Sequence, residues 1–499
     1  VNEATAEDKI CKVYCNYYKP NRIEDERCRG FTLSGILFTQ KAPPENMPMG
    51  PFDPLFKKEF LRSSVCAPCP FFVDGCDFVS PDGPPNCTPC GGLQFLSQLL
   101  KESFIDESDI EAVHFIDQDS LSHVGLNPNC SLKQLEQYYV YDVPHDDLYE
   151  LNEQGFEFLR LCDGTRSLES LKPDSQFLAS CLREGLLVSN SDANQKPFWE
   201  GSAPIPSLRY LEWITTLRCN LRCSHCYLGE PSKEEFPKEL IRTMLGEFSA
   251  IQGLRILVSG GEPTVYTHFD YVNDIIDEYP LRFVLLTNGI SLTDHMVKRL
   301  KFHEVQISLD GMKQGHEAMR GSGTFKKVLM AMDRVREAGI DLTVASMVHR
   351  QNLSEWDDML KLLENRGVKE WNIDYPCRKG RWELHPDLFV DTKVAGQEMT
   401  YGFGGSYHGS DPGWTCGRHL AAVLPSGEVC RCALYKDQVL GTVAQGIKKA
   451  WQRVHHIPIQ ATECRDCVHA DDCGGGCRYR AGGSHQRDEI MCAVHSFCR

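Results

Sequence analysis

A chain of 499 residues, 41% hydrophobic and 24% charged, has room for about two to four domains with sizeable cores and is not globally disordered. Its formal charge of −16 argues against nucleic acid or an anionic membrane surface as a partner, because both draw on clustered Lys and Arg. It has no run of about eighteen apolar residues, and its first residues lack the basic and apolar regions of an export signal, so a soluble, cytoplasmic protein without a membrane partner is expected.

In a reducing compartment the 24 cysteines read as metal ligands, and soft thiolates select iron–sulfur clusters or zinc. Residues 1–130 form a Cys-rich N-terminal region. There Cys66 and Cys69 make one close pair and Cys87 and Cys90 another, with Cys76 between. Paired spacing suits a structural zinc, with a further Fe–S cluster as the alternative. Cys130, Cys162 and Cys181 stand apart and read as small buried apolar residues.

Residues 135–190 begin with a strand at Gln137–Val143. Phe156, Leu159 and Leu161 then fall at helical spacing, and Asp163-Gly164-Thr165 is expected to end that helix and begin another. A further helix around Gln176–Glu184 stops at Gly185. Strands followed by a winged three-helix unit resemble the PqqD-like peptide-binding domain, the RiPP recognition element. The resemblance implies that a precursor peptide docks its leader here as an added strand, so main-chain hydrogen bonds supply much of the affinity. A DNA-binding winged helix fits less well, since the candidate recognition helix is not basic. Residues 191–206 read as a linker.

From 207 to 390, short apolar strands alternate with helical stretches. Strands are expected at Tyr210–Thr215, Arg255–Ser259, Arg282–Leu286, Glu304–Leu309, Asp341–Met347 and Glu370–Asp374. Such βα units build an α/β fold, a partial (β/α)6 barrel whose reactive groups gather at the C-terminal strand ends. Cys219, Cys223 and Cys226 follow the first strand, with three and then two residues between them, and Gly260-Gly261-Glu262-Pro263 follows the second. Zinc also takes closely spaced thiols. Three thiolates can instead hold three irons of a four-iron cluster and leave the fourth open, and a carboxylate after paired glycines can receive an ammonium.

Together the two motifs resemble the radical S-adenosylmethionine (SAM) superfamily. The resemblance implies a [4Fe-4S] cluster on Cys219, Cys223 and Cys226 with SAM on its open iron. It further implies that Gly260, Gly261, Glu262 and Pro263 contact the SAM amine, Asn288 and Ser308 its ribose or carboxylate, and Arg320 the carboxylate. Simple turns at Asn288 and Asp310, and a surface position for Arg320, are the plain alternatives.

Residues 391–499 carry Cys416, Cys432, Cys464, Cys467, Cys473, Cys477, Cys492 and Cys498, with ten residues, Gly427 and four more between the first two. The spacing resembles the SPASM extension of peptide-modifying radical SAM enzymes. It implies two auxiliary Fe–S clusters, an inner one on Cys416, Cys432 and Cys477 and an outer one on Cys464, Cys467 and Cys473 with Cys492 or Cys498. The usual further inner ligand has no counterpart, since position 410 is serine; Cys377, Cys430 or an open iron fills that place.

The function implied is that of a radical SAM peptide maturase. It would cleave SAM reductively to a 5′-deoxyadenosyl radical, with electrons from a flavodoxin or ferredoxin, and install a thioether, a C–C crosslink or an oxidised side chain in a ribosomally made precursor. The rivals are a formylglycine-type sulfatase or other enzyme maturase and, in another class, a non-catalytic electron carrier or peptide-binding scaffold. Ala433 stands after Cys432 where the sulfatase maturases commonly have a basic aspartate.

Overall fold

The computed structural model describes residues 58–61, 64–65, 91–107, 110, 123–171, 174–189, 201–404 and 411–497. Cys66, Cys69, Cys76, Cys87, Cys90 and Cys498 lie outside these residues, as does most of the expected linker. The chain divides into two compact units, Val1–Leu132 with Leu151–Lys196, and Lys133–Glu150 with Pro197–Arg499.

The order over the first described stretch is β1 (His123–Leu126), β2 (Cys130–Gln134), β3 (Tyr138–Asp142), β4 (Asp147–Leu151), α1 (Glu153–Leu161), β5 (Asp163–Ser167), α2 (Leu168–Leu171), α3 (Ser175–Arg183) and β6 (Leu187–Ser189). Within the first unit, β1 lies between β5 and β6, antiparallel to both. Asn152 and Asp174 start α1 and α3 by accepting the amides of Gly155 and Phe177. Phe156 and Leu159 are buried, as expected, and so are Cys130, Cys162 and Cys181. One expectation fails here. Asp163-Gly164-Thr165 does not open a helix; Asp163 accepts from Thr165 in a local turn and the segment pairs with β1 as β5. A sequence that resembles a helix cap also makes a turn into a strand, and the available β1 edge decides between them.

In the second unit, residues 133–150 bind to the lower end of the large sheet. Asp146 pairs with Arg255, and the buried Arg282 meets Glu304 and Asp341 and donates to the carbonyls of Val143 and Pro144. Lys133 is buried, and its ammonium donates to the carbonyls of Gly253 (2.8 Å) and Pro280 (3.0 Å). Burial pulls its pKa from 10.5 to about 7. Across that window the unfolded chain holds a proton that the folded chain gives up, so this group makes stability rise as pH rises from about 7 towards 10.5. Urea unfolding of the parent against Lys133→Met between pH 7 and 10 should show the parent gaining on the variant by up to about 1.4 kcal/mol per pH unit. A constant difference would show that the ammonium stays charged.

The large sheet holds the six expected strands within a residue or so of their expected ends. They are β7 (Tyr210–Ile214), β8 (Arg255–Ser259), β9 (Arg282–Thr287), β10 (Glu304–Ser308), β11 (Asp341–Met347) and β12 (Glu370–Asp374), all parallel and in sequential order. Between them run α4 (Lys238–Ala250), α5 (Phe269–Ile275), α6 (Asp294–Val297), α7 (Lys313–Arg320), α8 (Phe325–Glu337) and α9 (Trp356–Glu364). The helices cover the sheet because their apolar residues recur at helical spacing. Ile241, Met244, Leu245 and Phe248 of α4 are fully buried, each contributing roughly 1.5–3 kcal/mol. This is the partial barrel expected from the sequence.

The sheet does not stop at residue 390. After α10 (Thr392–Met399), β13 (Leu420–Val423) pairs in parallel with β7, Leu420 against Tyr210 through Val423 against Trp213. Then β14 (Glu428–Cys430) and β15 (Val439–Thr442) continue antiparallel, giving nine strands in one sheet. Beyond lie α11 (Ile447–Trp451), α12 (Ala470–Cys473) and α13 (Glu489–Phe497), the last lying where Gly396 of α10 leaves room for Ala493. Among the described residues no helix is long and apolar enough to cross a membrane.

Candidate active site

The upper ends of β7 to β11 surround a cavity of about 260 Å³. Cys219, Cys223 and Cys226 line it from the loop after β7, Gly260, Gly261 and Glu262 from the end of β8, Asn288 and Ser308 from the ends of β9 and β10, and Arg320 from the end of α7. Of the residues singled out in the barrel only Pro263 stays outside, buried at the start of the turn Pro263–Val265 that Glu262 caps.

The glycines also have a purpose within the fold. A Cβ at Gly260, whose φ is +147°, would sit 2.7 Å from the carbonyl oxygen of Thr216, and one at Gly261 would collide with that of Arg218. Gly261 and Glu262 donate their amides to those same carbonyls at 2.7 and 2.9 Å. The glycines thus let the strand end close on the cysteine loop itself. Gly261→Ala should cost about 1–3 kcal/mol and shift residues 217–219. The expected readouts are a lower melting temperature and faster labelling of Cys219 in the metal-free protein; unchanged labelling would mean the loop is held elsewhere.

Glu262 is wholly buried. Its carboxylate accepts from Thr287 Oγ1 (2.7 Å), the Asn288 amide (2.8 Å) and Thr264 Oγ1 (2.6 Å). Burial raises its pKa, and these hydrogen bonds hold it down. Among the described residues no cation pairs with it, so a carboxylate surrounded by neutral donors faces the cavity, which suits a cationic ligand group. Asn288 does more than turn the chain: its side chain donates to Asn220 Oδ1 at 2.7 Å and so ties β9 to the cysteine loop.

Arg320 is not a surface residue. Its Nε donates to the fully buried Asp310 at 2.5 Å, one terminal nitrogen lies 4.0 Å from Cys223 Sγ, and the other is 3.3 Å from His225 Nε2. Asp310 also accepts the Met347 amide, and its carbonyl receives Asn352 and faces His349 Nε2. Burial opposes the Asp310 charge, but the Arg320 guanidinium outweighs it and holds the carboxyl far below its usual range. His225 is lowered to about 3, by burial first and by Arg320 second, and is neutral. Sequence reasoning gave Asp310 only a turn and His225 no role.

It also passed over Glu212, a buried carboxylate of β7 in the cavity wall that accepts from Tyr227 at 3.2 Å and is raised by burial. Arg381 was missed as well. Its Nε donates to the Cys223 carbonyl, its amide to that of Cys226, and its guanidinium pairs with Glu230. An inward carboxylate on an otherwise apolar strand was the one available signal for Glu212.

Burial pushes Cys219 up to about 11, partly offset by the Leu221 amide, and raises Cys223 against the pull of Arg320. Metal binding must therefore release protons. Among the described residues no three His, Cys, Asp or Glu side chains converge as the ligands of a single ion do. A four-iron cluster asks for a wider spacing, one thiolate per iron. Three thiols lining the cavity, a cation held beside one of them and a carboxylate that pairs with no cation among the described residues suit a cluster with a cationic amino-acid ligand.

Residues 213–363 match the Radical SAM superfamily. This stretch is a radical SAM domain. Mycofactocin maturase MftC of Mycolicibacterium smegmatis is 27% identical over 302 residues, covering 54% of this chain and 77% of that protein. AdoMet-dependent heme synthase of Nitratidesulfovibrio vulgaris is 32% identical over 188 residues, 35% of this chain and 50% of that protein. Among solved structures, Streptococcus suis SuiB bound to precursor peptide SuiA shares 13% identity at a TM-score of 0.56, covering 74% of this chain and 99% of that one. Its form bound to S-adenosylmethionine gives a TM-score of 0.53. These likenesses show the fold around the radical SAM domain.

Among the described residues, the C-terminal cysteines expected as ligands lie in two neighbourhoods. The Arg478 amide lies 3.4 Å from Cys416 Sγ, and Tyr435 is within electrostatic reach of Cys416, Cys432 and Cys477. Cys473 is within reach of Cys464 and Cys492, and Cys492 of Cys464 and Cys467. Of the two late cysteines left open by the sequence, Cys492 lies near the outer group, and Cys498 falls outside the described residues.

Proposed function

We propose that the chain is a radical SAM maturase of a ribosomally made peptide. The convergence of the cysteine loop, Gly260-Gly261-Glu262 and the β9 and β10 ends on one cavity carries the radical SAM part of this reading. When bound on Cys219, Cys223 and Cys226, the cluster would supply one electron to SAM, which this superfamily cleaves to methionine and a 5′-deoxyadenosyl radical; the radical becomes 5′-deoxyadenosine on taking a hydrogen atom from the substrate. Glu262 would receive the SAM ammonium, and Asn288 and Ser308 would orient the nucleoside from the neighbouring strand ends. Arg320 faces Asp310 and Cys223, so it supports the cysteine loop in place of the SAM carboxylate.

The peptide part is supported by two likenesses, a relative named as a maturase and a fold neighbour solved with its precursor peptide. It is supported too by β4, which ends the β2-β3-β4 sheet with Asp147 and Glu150 exposed and could take a leader as a further strand. Two auxiliary clusters on the C-terminal cysteine groups would take up the electron left after hydrogen abstraction.

The test is anaerobic reconstitution with iron and sulfide, reduction in the presence of SAM, and mass spectrometry of 5′-deoxyadenosine and of any short peptide encoded beside this chain. Cleavage of SAM with a mass change in that peptide supports the proposal. A sulfatase-derived Cys or Ser peptide converted to formylglycine, or a modified tetrapyrrole, would move the chain to a rival class. Glu262→Gln should weaken SAM binding by about tenfold or more, the usual worth of a charged hydrogen bond; an unchanged affinity would remove Glu262 from the site.

A further inference from the structure

Six residues past the end of β12, the chain turns back on the cysteine loop. Gly380 has φ +61°, and a Cβ there would stand 2.5 Å from the Cys226 carbonyl. Arg381 donates to the carbonyls of Cys226 and Cys223. Cys377, three residues before that contact, meets the other set of thiols. Its side chain lies within interaction range of the Cys477 thiol. The approach is built by the chain around it. Arg480, three residues after Cys477, donates to Asp374 and to the Tyr375 carbonyl (3.1 Å) at the end of β12. The same guanidinium meets Asp488 at 2.8 Å, and Asp488 receives the Cys477 amide at 2.9 Å. Cys377 and Cys477 are both free thiols.

The other candidate faces away. Cys430 is fully buried among Ile214, Ala422 and Ala433, and its thiol is 3.7 Å from the Ala422 carbonyl across the β13–β14 pair. It fills core space as a small apolar residue does.

We propose that Cys377 is the fourth thiol of the group formed by Cys416, Cys432 and Cys477, so that this site is closed by four cysteines. The inference rests on the reading of those three as ligands of an inner auxiliary cluster. A closed site has no iron free for a substrate thiolate, which confines it to carrying electrons. Its fourth ligand comes from the barrel sheet. The five-residue turn from Cys377 to Arg381 then links the inner site directly to the loop of Cys219, Cys223 and Cys226.

The test uses the full chain with Cys219, Cys223 and Cys226 replaced by alanine, so that bound iron reports the remaining cysteines. After anaerobic reconstitution, further replacement Cys416→Ala should lower iron by about four per chain, the content of one cluster. If it does not, the auxiliary-cluster reading falls and this inference with it. Where it does, the EPR spectrum of the reduced background should be unmoved by cyanide, Cys377→Ala should create a cyanide-dependent signal, and Cys430→Ala should not. A background that already responds to cyanide, or a Cys377→Ala spectrum identical to it, overturns the role of Cys377 alone. Cys377→Ser keeps the size of the side chain and an oxygen donor. It should fold as the background does, by circular dichroism, yet alter the EPR signal; an unaltered signal counts against the proposal.

Discussion

Replacing Cys219, Cys223 and Cys226 together by alanine is expected to abolish 5′-deoxyadenosine formation. The loss should exceed the roughly 10- to 100-fold that follows removal of a supporting residue around a metal site, because the ligands themselves are gone. Iron should fall by about four per chain, and the iron that the C-terminal cysteines are proposed to hold should stay. Stability should change little, because the three thiols lie on a partly exposed loop whose shape is fixed by main-chain bonds to Gly261 and Glu262. Full SAM cleavage by a folded triple variant would place the chemistry elsewhere. Loss of cleavage together with loss of fold would show that the loop is structural.

The second large effect is on stability. Asp310→Ala removes the carboxylate that faces Arg320 and leaves a guanidinium with one-tenth of its side chain exposed and no counter-charge. Breaking one side of a buried pair costs about 3–5 kcal/mol. The Met347 amide loses its acceptor as well. Chemical denaturation should show the loss. Asp310→Leu combined with Arg320→Met should recover much of it, since removing both charges leaves neither one unpaired. An additive double variant would show that the two side chains do not depend on each other. The pair also has a pH signature. The Asp310 pKa is depressed by folding, so its contribution is complete above the unfolded value near 3.8 and is lost as pH falls through the folded one. Parent and Asp310→Ala should converge only in strong acid.

Much of the barrel was legible because its central strands are buried on both faces and read as short apolar runs, such as Arg255-Ile-Leu-Val-Ser259. The cavity was legible because parallel sheets bring the C-terminal strand ends together wherever their loops lie in the sequence. What stayed hidden depends on pairs far apart in the chain. Asp310 gains its role from Arg320, ten residues away, and from His349, thirty-nine away; Arg320 reaches Cys223 across ninety-seven. No local pattern marks such contacts. Tyr227 was hidden likewise, ordinary in its own segment, and Glu212 was marked only as a carboxylate on an otherwise apolar strand. The β5 turn misled in the opposite way, since its residues are good at two local structures and only the partner strand chooses.

The join between β7 and β13 bears on how such a protein can diversify. The C-terminal cysteine region is hydrogen-bonded to the strand that leads into the reactive loop, in a register running from Leu420 against Tyr210 to Val423 against Trp213. It cannot be exchanged between relatives as a cassette, because a slip of one residue would turn every β13 side chain to the opposite face. A chain cut before β13 would leave β7 as a bare edge, open to pairing with a second copy. Grafted hybrids should therefore succeed only where the whole nine-stranded sheet is carried over from a single parent.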